Sequence, residues 1–85
     1  MHYVYILKSK TDNNFYTGST NNLKRRFYEH NSGLVFSTKT RKPFELIYYE
    51  AYRDEKDARK REKNLKLKSK AFVQLKKRIK GSMWL

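Results

Sequence analysis

The 85-residue chain has no cysteine and only two histidines. It can form neither a disulfide framework nor a thiolate metal site, and two imidazoles are too few for a usual zinc cluster. Any metal chemistry must therefore use oxygen ligands. Long apolar runs are missing as well: the N-terminal stretch Tyr3 to Leu7 is far too short for a signal peptide or a membrane span. A soluble cytoplasmic protein with no membrane partner is the expectation. Acidic residues are scarce, 8 Asp and Glu against 21 Lys and Arg, and the formal charge is +13. That imbalance exceeds ordinary surface solubilisation and points to a polyanionic partner. Anionic lipid is the rival polyanion, but its usual sign, a basic face opposite a broad apolar one, is only partly met near the C-terminus. Thirteen of the basic residues lie between Arg53 and Lys80, so the last third of the chain should carry the strongest positive field.

What the chain does have is aromatic: seven tyrosines, five phenylalanines and one tryptophan. At this length a single domain buries only about 60% of its unfolded surface, and rings of roughly 150 to 250 Å² each can fill its thin core. Tyr3-Val4-Tyr5-Ile6-Leu7 is apolar on both faces and reads as a central strand. Thr11 to Asn14 is turn chemistry and Phe15-Tyr16-Thr17 resumes β character, so residues 3 to 18 read as an antiparallel hairpin. A turn centred between Lys10 and Thr11 would set Tyr5 opposite Tyr16, with their Cβ atoms about 5 Å apart. A one-residue bulge would break that register.

A helix from about Asn22 should bury Leu23 and Phe27, present Arg26 and His30 at the border of core and solvent, and end where Gly33 can turn left-handed. From Leu34 to Pro43 the chain is polar and weakly patterned, with Thr38, Lys39, Arg41 and Lys42 expected to be exposed. Glu45 to Ala51 forms a third strand. Asp54 with Asp57 opens a helix to about Leu65 whose apolar face is only Ala58, the Arg61 stem and Leu65, with Glu62 on the same side. Ser69 caps a last helix carrying Phe72, Leu75 and Ile79. The prediction is one α+β domain over residues 1–80, a small three-stranded antiparallel sheet flanked by helices in the order β-β-α-β-α-α, with a tail at 81–85 apolar enough to fold back.

Taken alone, Tyr5 and Tyr16 read as core rings with a wet edge, Arg26 as a solvated helix residue, and Glu62 as the i,i+4 partner of Lys66. Their order in the chain changes that. Val4-Tyr5-Ile6, then Tyr16-Thr17-Gly18 with Arg26 ten residues after its tyrosine, Ser37-Thr38-Lys39, Arg41 with Pro43, Leu46 to Glu50 and Ala58 to Lys63 together resemble the GIY-YIG nuclease family, in its small stand-alone form. The resemblance spans nearly the whole chain.

It implies a metal-dependent endonuclease acting on DNA, with one Mg²⁺ or Mn²⁺ ion and a 5′-phosphate product. In that scheme Tyr5 or Tyr16 orients or deprotonates water, Arg26 stabilises the phosphorane and Glu62 binds the metal. His30, near the helix C-terminus, is either a dipole-compatible cap or a catalytic contact to the substrate. Ser19 departs from relatives that carry lysine after the second-motif glycine. Its missing charge must come from Lys24 or from the Lys39 and Arg41 loop, with Lys66 a further phosphate contact. A phenol of pKa about 10 is ionised in only about one molecule in a thousand at pH 7, so a base role needs help from Arg26 or from metal. With no base-reading helix pattern, recognition should follow nucleic-acid structure rather than sequence. The alternative is a non-catalytic basic module binding DNA or RNA.

Overall fold

β1 (His2–Ser9) is the centre of the molecule, as its two-sided apolar pattern requires: Val4, Tyr5, Ile6 and Leu7 are all fully buried. β2 (Phe15–Thr20) pairs with one side of it and β3 (Phe44–Tyr52) with the other, both antiparallel, in the order β2-β1-β3. The computed structural model describes residues 1–66 and 69–84. Four helices follow the strands in chain order: α1 (Leu23–Asn31) before β3, then α2 (Glu55–Asn64), α3 (Lys70–Arg78) and the short α4 (Lys80–Met83). The predicted α+β class and element order are therefore correct, with α4 and a 3₁₀ turn at Lys39–Arg41 added. Among the described residues no helix is long and apolar enough to cross a membrane.

Alternation along β1 divides the core in two. Val4 and Ile6 face α2 and α3, where they pack with Ala58, Leu65, Phe72 and Leu75. Tyr5 and Leu7 face α1 and pack with Phe44, Leu23 and Phe27. Burying both faces of one strand is what lets so short a chain enclose two clusters. Between Ile6 and Leu7 the pairing with β3 slips by one residue, from Tyr48 to Leu46, a bulge that lets Ile47 and Tyr48 both pack on the α2 side.

The hairpin register differs from expectation. Tyr5 pairs with Gly18, and Tyr16 pairs with Leu7. The turn is wider because Ser9 organises it: its hydroxyl accepts from the amides of Thr11 and Asp12, and Asn13 takes a left-handed conformation at φ 58°. The slip is by two residues, which preserves the faces, so both tyrosines still lie on the α1 side.

Capping follows the sequence closely. The Asn22 side chain accepts from the Arg25 amide, Ser69 accepts from that of Phe72, and Gly33 ends α1 at φ 75°. Asp54 caps α2 through the Lys56 amide, and Asp57 merely adds negative charge to the first turn. Of the segment expected as a tail at 81–85, Leu85 lies outside the described residues and Met83 packs onto the domain: it is buried, and its carbonyl accepts from Lys8 Nζ at 3.0 Å.

Candidate active site at the edge of the sheet

β2 is an edge strand, and the candidate residues reach its Gly18-Ser19 segment from both faces of the sheet. On the α1 side the Tyr5 ring lies across Gly18, filling the place of a side chain. A Cβ on that glycine would stand 2.4 Å from Tyr5 Oη and 2.6 Å from Cζ, so no other residue fits there without moving the phenol. Tyr16 lies beside it, ring centroids 6.5 Å apart and tilted by 40°. The two phenols are neighbours on the diagonal rather than directly opposed.

α1 supplies the groups behind them. His30 is the deepest residue of the helix, 0% exposed, and Nε2 lies 2.8 Å from Tyr5 Oη while Nδ1 lies 2.8 Å from Thr38 Oγ1. Two expectations are corrected here. His30 stands inside the core rather than at its border, because it follows Phe27 by three on the buried stripe. Thr38 is buried rather than exposed, because it closes the far side of the imidazole. His30 therefore meets Tyr5 from within the core. Burial first, and the Arg26 charge second, hold its pKa down at about 4, so it is neutral at pH 7.

Arg26 projects beside the Tyr5 phenol, with Nη1 3.1 Å from Glu29 Oε1. Burial disfavours its charge, but Glu29 and Tyr5 outweigh that and hold it above its ordinary value. A guanidinium only donates, so Arg26 leaves the phenol proton for His30 Nε2. That assignment puts the imidazole proton on Nδ1, donating to Thr38. Burial, reinforced by Tyr16, pushes Tyr5 up to about 12 despite Arg26, so at pH 7 it stays protonated and available as a hydrogen-bond donor rather than as a base.

α2 comes to the other face of the same strand and is clamped there at two points. Thr17 Oγ1 donates to the Leu65 carbonyl at 3.1 Å, and Ser19 Oγ donates to Glu62 Oε1 at 2.6 Å. These flank Gly18, where no side chain intervenes. Ser19 thus replaces a possible cation by a hydroxyl that fixes the carboxylate. The other Glu62 oxygen faces Lys66 Nζ at 3.6 Å, the i,i+4 pair expected from spacing. That lysine is 59% exposed and free to swing away.

Three shallow hollows run along this edge and share residues end to end. One of about 400 Å³ holds Tyr16, Arg41 and Lys66; the next, about 450 Å³, holds Lys66, Glu62 and Arg59; the third, about 360 Å³, holds Arg59, Ser19 and Arg26. Together they form a cationic trough past Tyr16, Glu62 and Arg26. Arg41 is braced in it by Asp12, Nε to Oδ2 2.7 Å. Lys24 instead lines a separate hollow with Tyr3 and Tyr49, and Lys39 sits over the Phe36 ring at 4.9 Å.

This arrangement coincides with family membership. A family model described as the GIY-YIG catalytic domain matches residues 1–79. The chain belongs to the GIY-YIG family. Among relatives, a UPF0213 protein of Clostridium perfringens is 45% identical over 67 residues, 78% of this chain and 71% of that one. A UPF0213 protein of Staphylococcus haemolyticus is 46% identical over 66 residues, 76% and 79% of the two chains. The solution NMR structure of a UPF0213 protein from Bacillus halodurans matches with a TM-score of 0.56 at 36% identity, covering 94% of this chain and 85% of that one. In this GIY-YIG domain, sequence reading missed the Glu50 cluster. That carboxylate of β3 accepts from Tyr48 and Tyr52 and pairs with Arg61 at 3.0 Å. Tyr48 and Tyr52 each lie two residues from Glu50 on one strand face, and that spacing was the available signal.

Proposed function

We propose that the protein is a metal-dependent endonuclease that hydrolyses phosphodiester bonds in DNA of particular structures. One observation carries this reading: Tyr16, Arg26 and Glu62 line one cationic trough, with Tyr5 and His30 locked behind them. Nucleic-acid binding alone needs the charge but has no use for a phenol, a guanidinium and a carboxylate set along the same edge.

Among the described residues there is no cluster of three or more His, Asp or Glu side chains able to hold a metal. Glu62 is a single carboxylate, and that fits Mg²⁺ or Mn²⁺ bound largely by water and by substrate phosphate oxygens. When bound, such an ion supplies positive charge at the leaving oxygen and makes water a better nucleophile. The residues themselves do the rest. Tyr16, half-buried in the trough, orients or deprotonates the attacking water. Tyr5 is buried and positions, holding Arg26 and Tyr16 through its hydroxyl and ring. Arg26 donates to the scissile phosphate and stabilises the charge added as the water oxygen bonds to phosphorus and the P–O3′ bond breaks, leaving a 5′-phosphate and a 3′-hydroxyl. Lys66 and Arg41 neutralise flanking phosphates.

The test is a metal-dependent nicking assay on nicked, branched, single-stranded and plain duplex DNA, comparing wild type with Arg26→Ala and Glu62→Ala. Losing one preorganised donor should cost about 10² to 10³ in rate. Binding with no cleavage of any substrate would favour the non-catalytic nucleic-acid module, and cleavage insensitive to both substitutions would remove the trough from the mechanism.

A further inference from the structure

Trp84 is the chain's one tryptophan and is 64% exposed, yet its ring is held. Phe15 meets it edge-on with centroids 6.4 Å apart, and Lys8 Nζ lies over it at 4.4 Å while also bonded to the Met83 carbonyl. Fixing a tryptophan on the surface costs rotamer entropy without removing the ring from water. The ring forms one side of a hollow of about 550 Å³ with Phe15 and Met83 as its apolar floor. Lys76, Lys77 and Lys80 stand around it, and no acidic side chain lines it. The amides of Asn13 and Asn14 close one end.

We propose that this hollow binds an unpaired nucleotide of the substrate strand, its base stacked on Trp84 and its neighbouring phosphates on Lys76, Lys77 and Lys80. An aromatic plane set among cations is the chemistry that single strands recognise, since every base has a π-face and every linkage a charge. A duplex hides those faces except at its ends. Phe15 lines both this hollow and the trough hollow that contains Tyr16, so the two are neighbours. A strand entering the trough can therefore place an unpaired continuation on Trp84. The site would select DNA with a single-stranded arm beside the cut. This rests on the nucleic-acid reading above but not on hydrolysis.

The test uses the full chain in EDTA, so that nothing is cut. Tryptophan emission is followed during titration with single-stranded oligothymidylate and with blunt duplex, while anisotropy of a labelled copy reports binding itself. The single strand should quench emission with the same midpoint as its anisotropy, and the duplex should bind with little quenching. Trp84→Ala should weaken single-strand binding about tenfold or more, the equivalent of one lost base stack, and Trp84→Phe should restore most of it. Lys76→Ala with Lys77→Ala, both exposed, should flatten the log-log salt slope by about 0.7 per lysine. Binding without quenching, or equal affinity in Trp84→Ala, overturns the proposal while the trough reading stands. Quenching by phosphatidylserine vesicles but not by the oligonucleotide overturns it in favour of a lipid surface. No binding of either nucleic acid overturns both readings.

Discussion

Gly18→Ala is the sharpest perturbation this fold offers, because one methyl group tests the geometry of the whole site. The new Cβ would stand 2.4 Å from Tyr5 Oη, 2.6 Å from Cζ and 3.1 Å from Tyr16 Cε2, where non-bonded atoms settle at about 3.5 to 4 Å. The tip of Tyr5 must move by about 1 Å. It has nowhere to go: the residue is 1% exposed and its hydroxyl is bonded to His30 at 2.8 Å. Overpacking costs about 1 to 3 kcal/mol and a broken buried hydrogen bond about as much again, giving about 2 to 5 kcal/mol in total. A domain of this length has only about 4 to 13 kcal/mol of stability, so the variant is severely weakened. Urea unfolding followed by circular dichroism should show the midpoint lowered by about 2 to 5 M, with a slope near 1 kcal/mol/M. Cleavage should drop about a hundredfold even in the folded fraction, as expected for a misplacement of about 1 Å. Tyr5→Phe in the same chain removes the nearest clashing atom and the hydrogen bond that resists movement. The double variant should therefore be less destabilised than the sum of the singles by at least about 0.5 kcal/mol. A Gly18→Ala midpoint matching wild type, or strict additivity, would refute the claim that Tyr5 occupies the place of the missing side chain.

The buried imidazole sets a pH dependence. His30 is held at about 4, below its unfolded value near 6.5, so the unfolded chain binds the extra proton between those values and stability falls as pH drops through that window, by about 3 kcal/mol in full. Urea midpoints measured from pH 7 to 4 should show the loss, and His30→Asn, which cannot titrate there, should flatten it. At the alkaline end the sign reverses in pH but not in logic. Tyr5, pushed up to about 12, stays protonated while the unfolded phenol ionises, so stability falls above about pH 10. Glu50→Gln removes the charge shared by Arg61, Tyr48 and Tyr52, which burial opposes and those partners hold below the ordinary carboxylate range. It should cost about 2 to 3 kcal/mol and lower Tm on the order of 10 °C. Glu55→Gln, whose partner Arg59 is 66% exposed, should move Tm by no more than about 4 °C.

The elements were legible because each is set by local chemistry. β1 is apolar on both faces, Asn22 and Ser69 are caps, and Gly33 is a C′ residue, and none of these depends on distant contacts. The candidate site was legible as a set of residue types through the resemblance, and its arrangement only in part. The hairpin register depends on which hydroxyl satisfies the turn amides, and Ser9 took a role that Lys10 and Thr11 had equal claim to on composition. His30 and Thr38 were misplaced for a related reason. Polar residues are read outward by default, and a pair that satisfies each other inside the core has no signature in spacing across eight residues and a turn. The same default hid Glu50. What the sequence could not convey at all is that the phenols and the carboxylate stand on opposite faces of one strand. Periodicity assigns residues to faces, and faces ordinarily keep groups apart. At the last strand of a sheet they meet around its edge, and a residue without a side chain is what leaves the way open between them. The second-motif glycine is therefore where the two halves of the core share one surface at the β2 edge.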